Sequence, residues 1–214
     1  MGIKAAVPVF SDKGESVMQS EGVKKINYAY LLAAILAPIV LIVVGGWIGY
    51  QFFRDGGTGA VICFMGPTAL AVLWWLFGIA AIWKQKKKKM MKQLDGQGFA
   101  RNHTFYGRGQ TVVVDQQQGK VALLFFWNPF VLYVFPASRI TNAWTEDGAG
   151  GAGFLRGTSR VSFLFQIDGV KVRVDTFTSN QRWKMEDPKV LEGISKADLW
   201  VQVLTQARQQ SAGV

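Results

Sequence analysis

The chain holds a single cysteine, Cys63, and a single histidine, His103, in 214 residues. One thiol excludes an intramolecular disulfide, which suits a reducing compartment. One imidazole excludes any metal centre that takes two from the same chain. Charge is missing from two long stretches: no Asp, Glu, Lys or Arg occurs from Ile26 to Phe53, or from Gly56 to Trp83. Acidic residues are scarce, 14 against 24 basic ones, for a net charge of +10. That excess is concentrated. Lys84, Lys86, Lys87, Lys88, Lys89 and Lys92 supply six of the charges, whereas from Leu94 onward thirteen basic residues meet ten acidic ones. A nucleic-acid-binding domain spreads its positive charge over the folded surface, so nucleic acid is not the expected partner.

Each uncharged run exceeds the ~20 apolar residues a helix needs to cross the hydrocarbon of a bilayer. Residues 26–83 therefore read as a transmembrane helical hairpin with spans at about 28–50 and 60–83, joined by a turn over 54–59. A pair of core helices in a soluble protein would need a polar face, and these runs have almost none. Each span carries one proline, Pro38 and Pro67, which frees a carbonyl that neighbouring groups can satisfy. Tyr28, Tyr30, Trp47, Tyr50 and Trp83 lie near span ends, where aromatic rings favour the interface. Gly45, Gly46 and Gly49 are spaced for close helix packing. The first run begins at Ile26 and is too long for the core of a cleaved signal peptide.

Positive residues stay on the cytoplasmic side of short hydrophobic hairpins. Lys24 and Lys25 precede the first span and the lysine block follows the second. Both termini are therefore expected in the cytoplasm of a bacterial cell, with the protein multi-pass in the inner membrane. Residues 1–25 read as a flexible cytoplasmic N-terminus and 84–98 as a basic juxtamembrane linker. Lys84, Lys86, Lys87, Lys88, Lys89 and Lys92 lock the topology and contact anionic membrane lipid, at roughly 1 kcal/mol per charge.

After Lys92 the pattern becomes short alternating apolar runs bounded by Gly, Asp and Asn, the signature of strands. Seven are legible: "HTFYG", "QTVVVD", "VALLFFW", "FVLYVF", "ITNAWTE", "VSFLFQI" and "VKVRVDTF". Asp168-Gly169 predicts a hairpin between the last two. In that last strand Val170, Val172 and Val174 face one way and Lys171, Arg173 and Asp175 the other. "VALLFFW" is apolar on both faces and should be covered on both. A C-terminal amphipathic helix is expected from an N-cap at Ser195, with Asp198 in the capping-box position. Trp200, Val203, Leu204 and Ala207 lie along its apolar face.

Chemistry-bearing motifs are few. "GAGGAG", Gly148 to Gly153, has the G-x-G-x-x-G spacing, but a strand pattern follows it where a dinucleotide site needs a helix. It reads as a hairpin loop flanked by Arg156 and Arg160. Glu146-Asp147 and Glu186-Asp187 are adjacent loop residues, no serine sits in a nucleophile elbow, and His103 starts a strand. No catalytic residue, cofactor or metal site is expected, and the chain does not read as an enzyme. Aromatics near basic residues are the better clue. "FFWNPF" groups Trp127 and Phe130 at a turn, and "NQRWKMEDP" groups Arg182, Trp183 and Lys184. Trp and Arg dominate the energetics of protein interfaces. The candidate partner-binding residues are Trp127, Phe130, Arg156, Arg182, Trp183 and Lys184.

Seven strands followed by a helix resemble the pleckstrin-homology-like fold, over roughly residues 99–210. The segments "GQTVVVDQQQGKVAL", "YVFPASRITNAWTED" and "WVQVLTQ" are similar to an uncharacterised family of bacterial domains of that fold. Asp115, Gly119, Lys120, Pro136, Ser138, Ile140 and Trp144 carry the likeness, in structural roles. The layout of two spans, a lysine block and a strand-rich domain resembles the entry-exclusion proteins of I-type conjugative plasmids. That resemblance implies a protein at the recipient's inner membrane that blocks uptake of a related plasmid by meeting a donor transfer protein.

The expected fold is an α+β membrane protein: an N-terminal two-helix transmembrane hairpin, then a pleckstrin-homology-like seven-stranded half-barrel with a C-terminal helix. The expected function is non-enzymatic binding of a protein partner through the cytoplasmic domain, with entry exclusion as its specific form. Alternatives are a module that senses anionic lipid and a subunit of a membrane secretion or transport complex. Homo-oligomerisation stays open.

Overall fold

The computed structural model describes residues 7–10, 16–19, 23–52, 57–107, 109–150 and 157–212. They form two compact units. One comprises 24–89 and 127–129; the other comprises the described parts of 1–23, 90–126 and 130–214.

The first unit is built on helices. Helix α1 (Tyr28–Phe52) starts where Asn27 caps it. The Asn27 Oδ1 accepts from the Tyr30 N–H at 3.1 Å, and its carbonyl accepts from the Leu31 N–H at 2.9 Å. This satisfies an N–H that the first helical turn leaves open. Helix α2 (Thr58–Leu73), a π-helical turn (Trp74–Gly78) and helix α3 (Ile79–Gly96) follow one another without interruption. Arg54 to Gly56 of the expected turn lie outside the described residues. The lysine block, expected in a linker, is helical as far as Gly96. Two segments, Tyr28–Gln51 and Val61–Gly96, are long and apolar enough to cross a membrane. Their apolar side chains are largely uncovered: Leu36 is 50 % exposed, Val43 64 % and Phe77 64 %.

Both prolines shape the antiparallel contact between α1 and α2. Pro38 has no N–H, so the carbonyl four residues before it, at Ala34, loses its helical donor. The indole N–H groups of Trp74 and Trp75 donate to that oxygen at 3.4 and 3.3 Å. Successive residues of an α-helix point about 100° apart; the wider π turn that these two tryptophans open lets both reach one acceptor. Pro67 likewise frees the Cys63 carbonyl. Opposite it stands Gly45, where an added Cβ would come within 2.7 Å of the Cys63 oxygen and 2.3 Å of the Pro67 ring. Only glycine permits that approach.

The second unit is built on sheets. One six-stranded sheet runs β2 (Ser16–Gln19), β1 (Val7–Phe10), β6 (Asn128–Pro136), β5 (Lys120–Phe125), β4 (Gln110–Asp115), β3 (His103–Tyr106). The other runs β7 (Ile140–Gly150), β8 (Gly157–Ile167), β9 (Val170–Trp183). The pairings β3–β4, β4–β5, β7–β8 and β8–β9 are antiparallel, as is the addition of β1 to β6. All seven strands legible after Lys92 are present. The fold is thus α+β. Asp168 and Gly169, with φ of 48° and 79°, make the two-residue turn the sequence predicts. The N-terminal segment, expected without regular structure, contributes the β1–β2 hairpin, with Val9 opposite Tyr133 and Phe10 opposite Leu132.

The core lies between the sheets and helix α4 (Pro188–Ala212). Trp200 of α4 stacks on Phe163 with ring centres 5.6 Å apart and meets Phe105 edge-on. Val112, Val114, Val121, Leu123 and Phe125 face this core. The alternate residues Val113, Ala122, Leu124, Leu132 and Val134 are also buried, on the opposite face. Met90, Met91, Leu94 and Phe99 are likewise buried and lie outside the main core. The Ala100 N–H donates to Asp115 Oδ2 at 2.8 Å, and Gln118 Nε2 to the Gly98 carbonyl at 2.9 Å, which ties the end of α3 to the β4–β5 turn. The expectation that β5 is covered on both faces holds: Val121 to Phe125 are all buried.

The expected start of the last helix needs correction. It begins at Pro188, and its cap is Asp187, whose Oδ1 accepts from the Lys189 N–H at 2.9 Å. Proline is pre-organised for the first helical position. Ser195 lies inside the helix, and Asp198 accepts a hydrogen bond from Thr145 Oγ1 at 2.6 Å instead of closing a capping box.

Candidate functional site

Three places gather the residues that the sequence singles out. The first is α3. Lys84, Lys88 and Lys92 follow one another at four-residue intervals on its exposed side, and Lys89 is exposed beside them. Met90 and Leu94, on the other side, are buried. Lys86 and Lys87 are half-buried, and the Lys87 ammonium lies 5.9 Å from the Trp83 ring centre. Like charges four residues apart destabilise a helix. Lys84, Lys88 and Lys92 make no ion pair among the described residues. Lys84, Lys88 and Lys92 therefore concentrate positive charge along one side of the helix.

The second place is the β5–β6 turn. Trp127 is 38 % exposed, Phe130 is half-buried and Asn128 is buried. The Trp127 carbonyl accepts from the Asn27 N–H at 2.8 Å, and Asn128 Nδ2 donates to the Lys24 carbonyl at 2.9 Å. Trp127 to Pro129 consequently belong with the helices, while Phe130 belongs with the sheets.

The third is the passage from β9 into α4. Register jumps here: Arg160 faces Thr178, but Thr158 faces Trp183, so Ser179–Arg182 bulge from the sheet. Trp183 packs against the core, its indole N–H donates to Ser179 Oγ at 2.8 Å, and the Lys189 ammonium sits 4.6 Å from its ring centre. Arg182 and Lys184 on either side of it are exposed. Gln181, Arg182, Trp183, Lys184, Glu186 and Asp187 line an open cleft of about 440 Å³. Arg156 lies outside the described residues, as does most of the glycine loop, although Gly148 to Gly150 extend β7.

Sequence reasoning passes over one polar cluster. On the outer face of the three-stranded sheet, Glu146 pairs with both Lys171 and Arg173, and the Lys171 ammonium lies 5.1 Å from the Trp144 ring. Arg139 pairs with Asp168 nearby in the chain's β8–β9 turn. The alternation of β9 announces that wet face, but not which charges meet across it. Among the described residues no group of three or more His, Cys, Asp or Glu is arranged to hold a metal ion. No family model, curated protein or solved structure matches the chain.

Proposed function

We propose that the chain is a two-pass protein of the bacterial inner membrane that holds a pleckstrin-homology-like domain in the cytoplasm, where the domain binds a protein partner without catalysing a reaction. The observation that carries this reading is a closure. Lys24 and Asn27, just before α1, are hydrogen-bonded to Asn128 and Trp127, which follow α3. The β1–β6 pairing has the same consequence. A chain that leaves one side of a bilayer and returns to pair with its own beginning crosses an even number of times. Two crossings, through α1 and through α2 with its π turn, meet that condition. The uncovered apolar surface of both helices favours hydrocarbon as their solvent. Lys24, Lys25 and the α3 lysines favour the cytoplasm as the shared side.

Four plus three antiparallel strands with a C-terminal helix on the core support the pleckstrin-homology-like reading. The Trp183 cleft is the contact point for the partner: it joins a fixed aromatic ring to two exposed cations. Anchoring makes the encounter with a membrane-bound partner local, which raises effective concentration without new contacts. Exclusion of an incoming conjugative plasmid, through a donor transfer protein, is the specific form of this activity.

The topology is tested with a reporter fused after Val214. Activity in the cytosol is expected; activity outside it overturns the orientation. Partner binding is tested with a photo-crosslinker at Arg182 in cells receiving a conjugative plasmid. Capture of a transfer protein, lost in Trp183→Ala, is expected. If loss of the protein leaves uptake of every related plasmid unchanged, exclusion is not its role.

A further inference from the structure

Trp127 was singled out for its chemistry, but its surroundings are those of a membrane span. Asn27 engages its backbone N–H, its carbonyl and its side-chain oxygen at one point. Its Oδ1 and carbonyl close the first turn of α1, and its N–H holds the Trp127 carbonyl at 2.8 Å. The Asn128–Lys24 bond of 2.9 Å fixes the same turn a second time. The β5–β6 turn therefore lies level with the first residue of α1, a hundred positions earlier in the chain.

The level of that residue along the bilayer normal follows from length. Helix α1 has 25 residues, or about 37 Å at 1.5 Å each. Hydrocarbon takes about 30 Å of this, so the ends of α1 stand in the headgroup layers. Around its start are exposed Tyr28 and Ile26, exposed Lys24 and half-buried Lys25. An aromatic ring with a polar edge, next to lysine, is the composition that settles between acyl chains and water. Trp127 has that character and is 38 % exposed.

We propose that Trp127 inserts into the phospholipid headgroup layer beside the start of α1, so that the β5–β6 turn is a membrane contact in its own right and not part of the partner-binding surface. The proposal rests on the membrane reading of α1. It assigns the ring's exposed part to lipid and separates Trp127 from Trp183, which serves the cleft.

The test uses the full chain with Cys63→Ala, reconstituted in vesicles of phosphatidylethanolamine and phosphatidylglycerol. A nitroxide label is placed in turn at Trp127→Cys, at Leu36→Cys within α1 and at Gln209→Cys on exposed α4. Collision rates with oxygen, which partitions into lipid, are compared with those of a water-soluble nickel chelate. The ratio at position 127 is expected to exceed that at 209 severalfold and to fall below that at 36. A ratio at 127 equal to that at 209, with a high ratio at 36, overturns the proposal and leaves the membrane reading intact. Equal low ratios at all three positions overturn both. As a check without a label, Trp127→Phe in the native chain should remove part of the fluorescence that headgroup-proximal brominated lipid quenches; an unchanged quenched fraction counts against the proposal.

Discussion

The two indoles on the Ala34 carbonyl make a prediction in which the parts do not add. Ala34 is 2 % exposed, so water does not replace a lost donor. An unsatisfied buried carbonyl costs about 1–3 kcal/mol. The bonds from Trp74 and Trp75, at 3.4 and 3.3 Å, are long, which puts each near the weak end at about 0.5 kcal/mol. Either Trp74→Phe or Trp75→Phe alone leaves one donor in place and should cost about 0.5 kcal/mol for the hydrogen bond, plus a packing term for the smaller ring. The double variant leaves none and should cost about 1–3 kcal/mol above that packing term, more than the sum of the singles. Pro38→Ala restores the helical N–H to the same oxygen. In that background the hydrogen-bond cost of the double variant should nearly vanish, while the packing term stays and cancels in the cycle. The assay is a denaturing-detergent titration of the purified protein, followed by maleimide modification of Cys63, the sole thiol, which is half-buried. If the double variant costs the same with Pro38 as with Ala at that position, the indoles do not serve the freed carbonyl and the account of the π turn is wrong.

Three further outcomes follow from the sheet unit. Gly193→Ala should lower the thermal midpoint: helix propensity alone favours Ala by about 1 kcal/mol, but the new Cβ would stand 2.6 Å from the Phe177 Cβ, and overpacking costs about 1–3 kcal/mol. A raised midpoint would refute the close contact of α4 with β9. Asp187→Ala should destabilise by about 1 kcal/mol through loss of the α4 cap, read by chemical denaturation, whereas Ser195→Ala, inside the helix, should change little. Asp115→Asn should cost about 1.5–3 kcal/mol, because the fully buried carboxylate accepts from the N–H groups of Ala100 and Gln118 at 2.8 and 2.9 Å, and an amide offers only one acceptor oxygen. Hydrogen exchange should then quicken first at Ala100 and Gln118; unchanged exchange there would remove the tie between α3 and the β4–β5 turn.

Much of the fold could be read from local pattern. Strand periods between His103 and Phe177 and the Asp168-Gly169 turn depend on neighbours in sequence, and they reappear where the alternation puts them. The start of α4 was also written locally, in Asp187-Pro188, but Ser195 carried a competing signal with an acidic residue three positions on. What decides between them is the buried face of the helix, which takes in Val190 and Gly193. The lysine block was legible as charge and not as helix, because its repulsion argues against helix while the burial of Met90, Met91 and Leu94 argues for it. The β1–β2 hairpin left no clear trace, since four-residue strands depend on the edge they join.

The candidate sites divide in the same way. Composition marked Trp127, Arg182, Trp183 and Lys184 as residues of one kind. Only the folded chain separates them, by the hydrogen bonds that hold Trp127 at the start of α1 and the bulge that exposes Arg182.

Alone, the sequence determined the two apolar runs, the lysines that flank them and the alternation of seven strands, because each is a property of residues close together in the chain. Tertiary structure decided which carbonyl the tryptophans of α2's continuation satisfy, which turn meets the start of α1 and which face of β5 needs a second cover. Those depend on groups tens of residues apart, brought together by burial that no local pattern records.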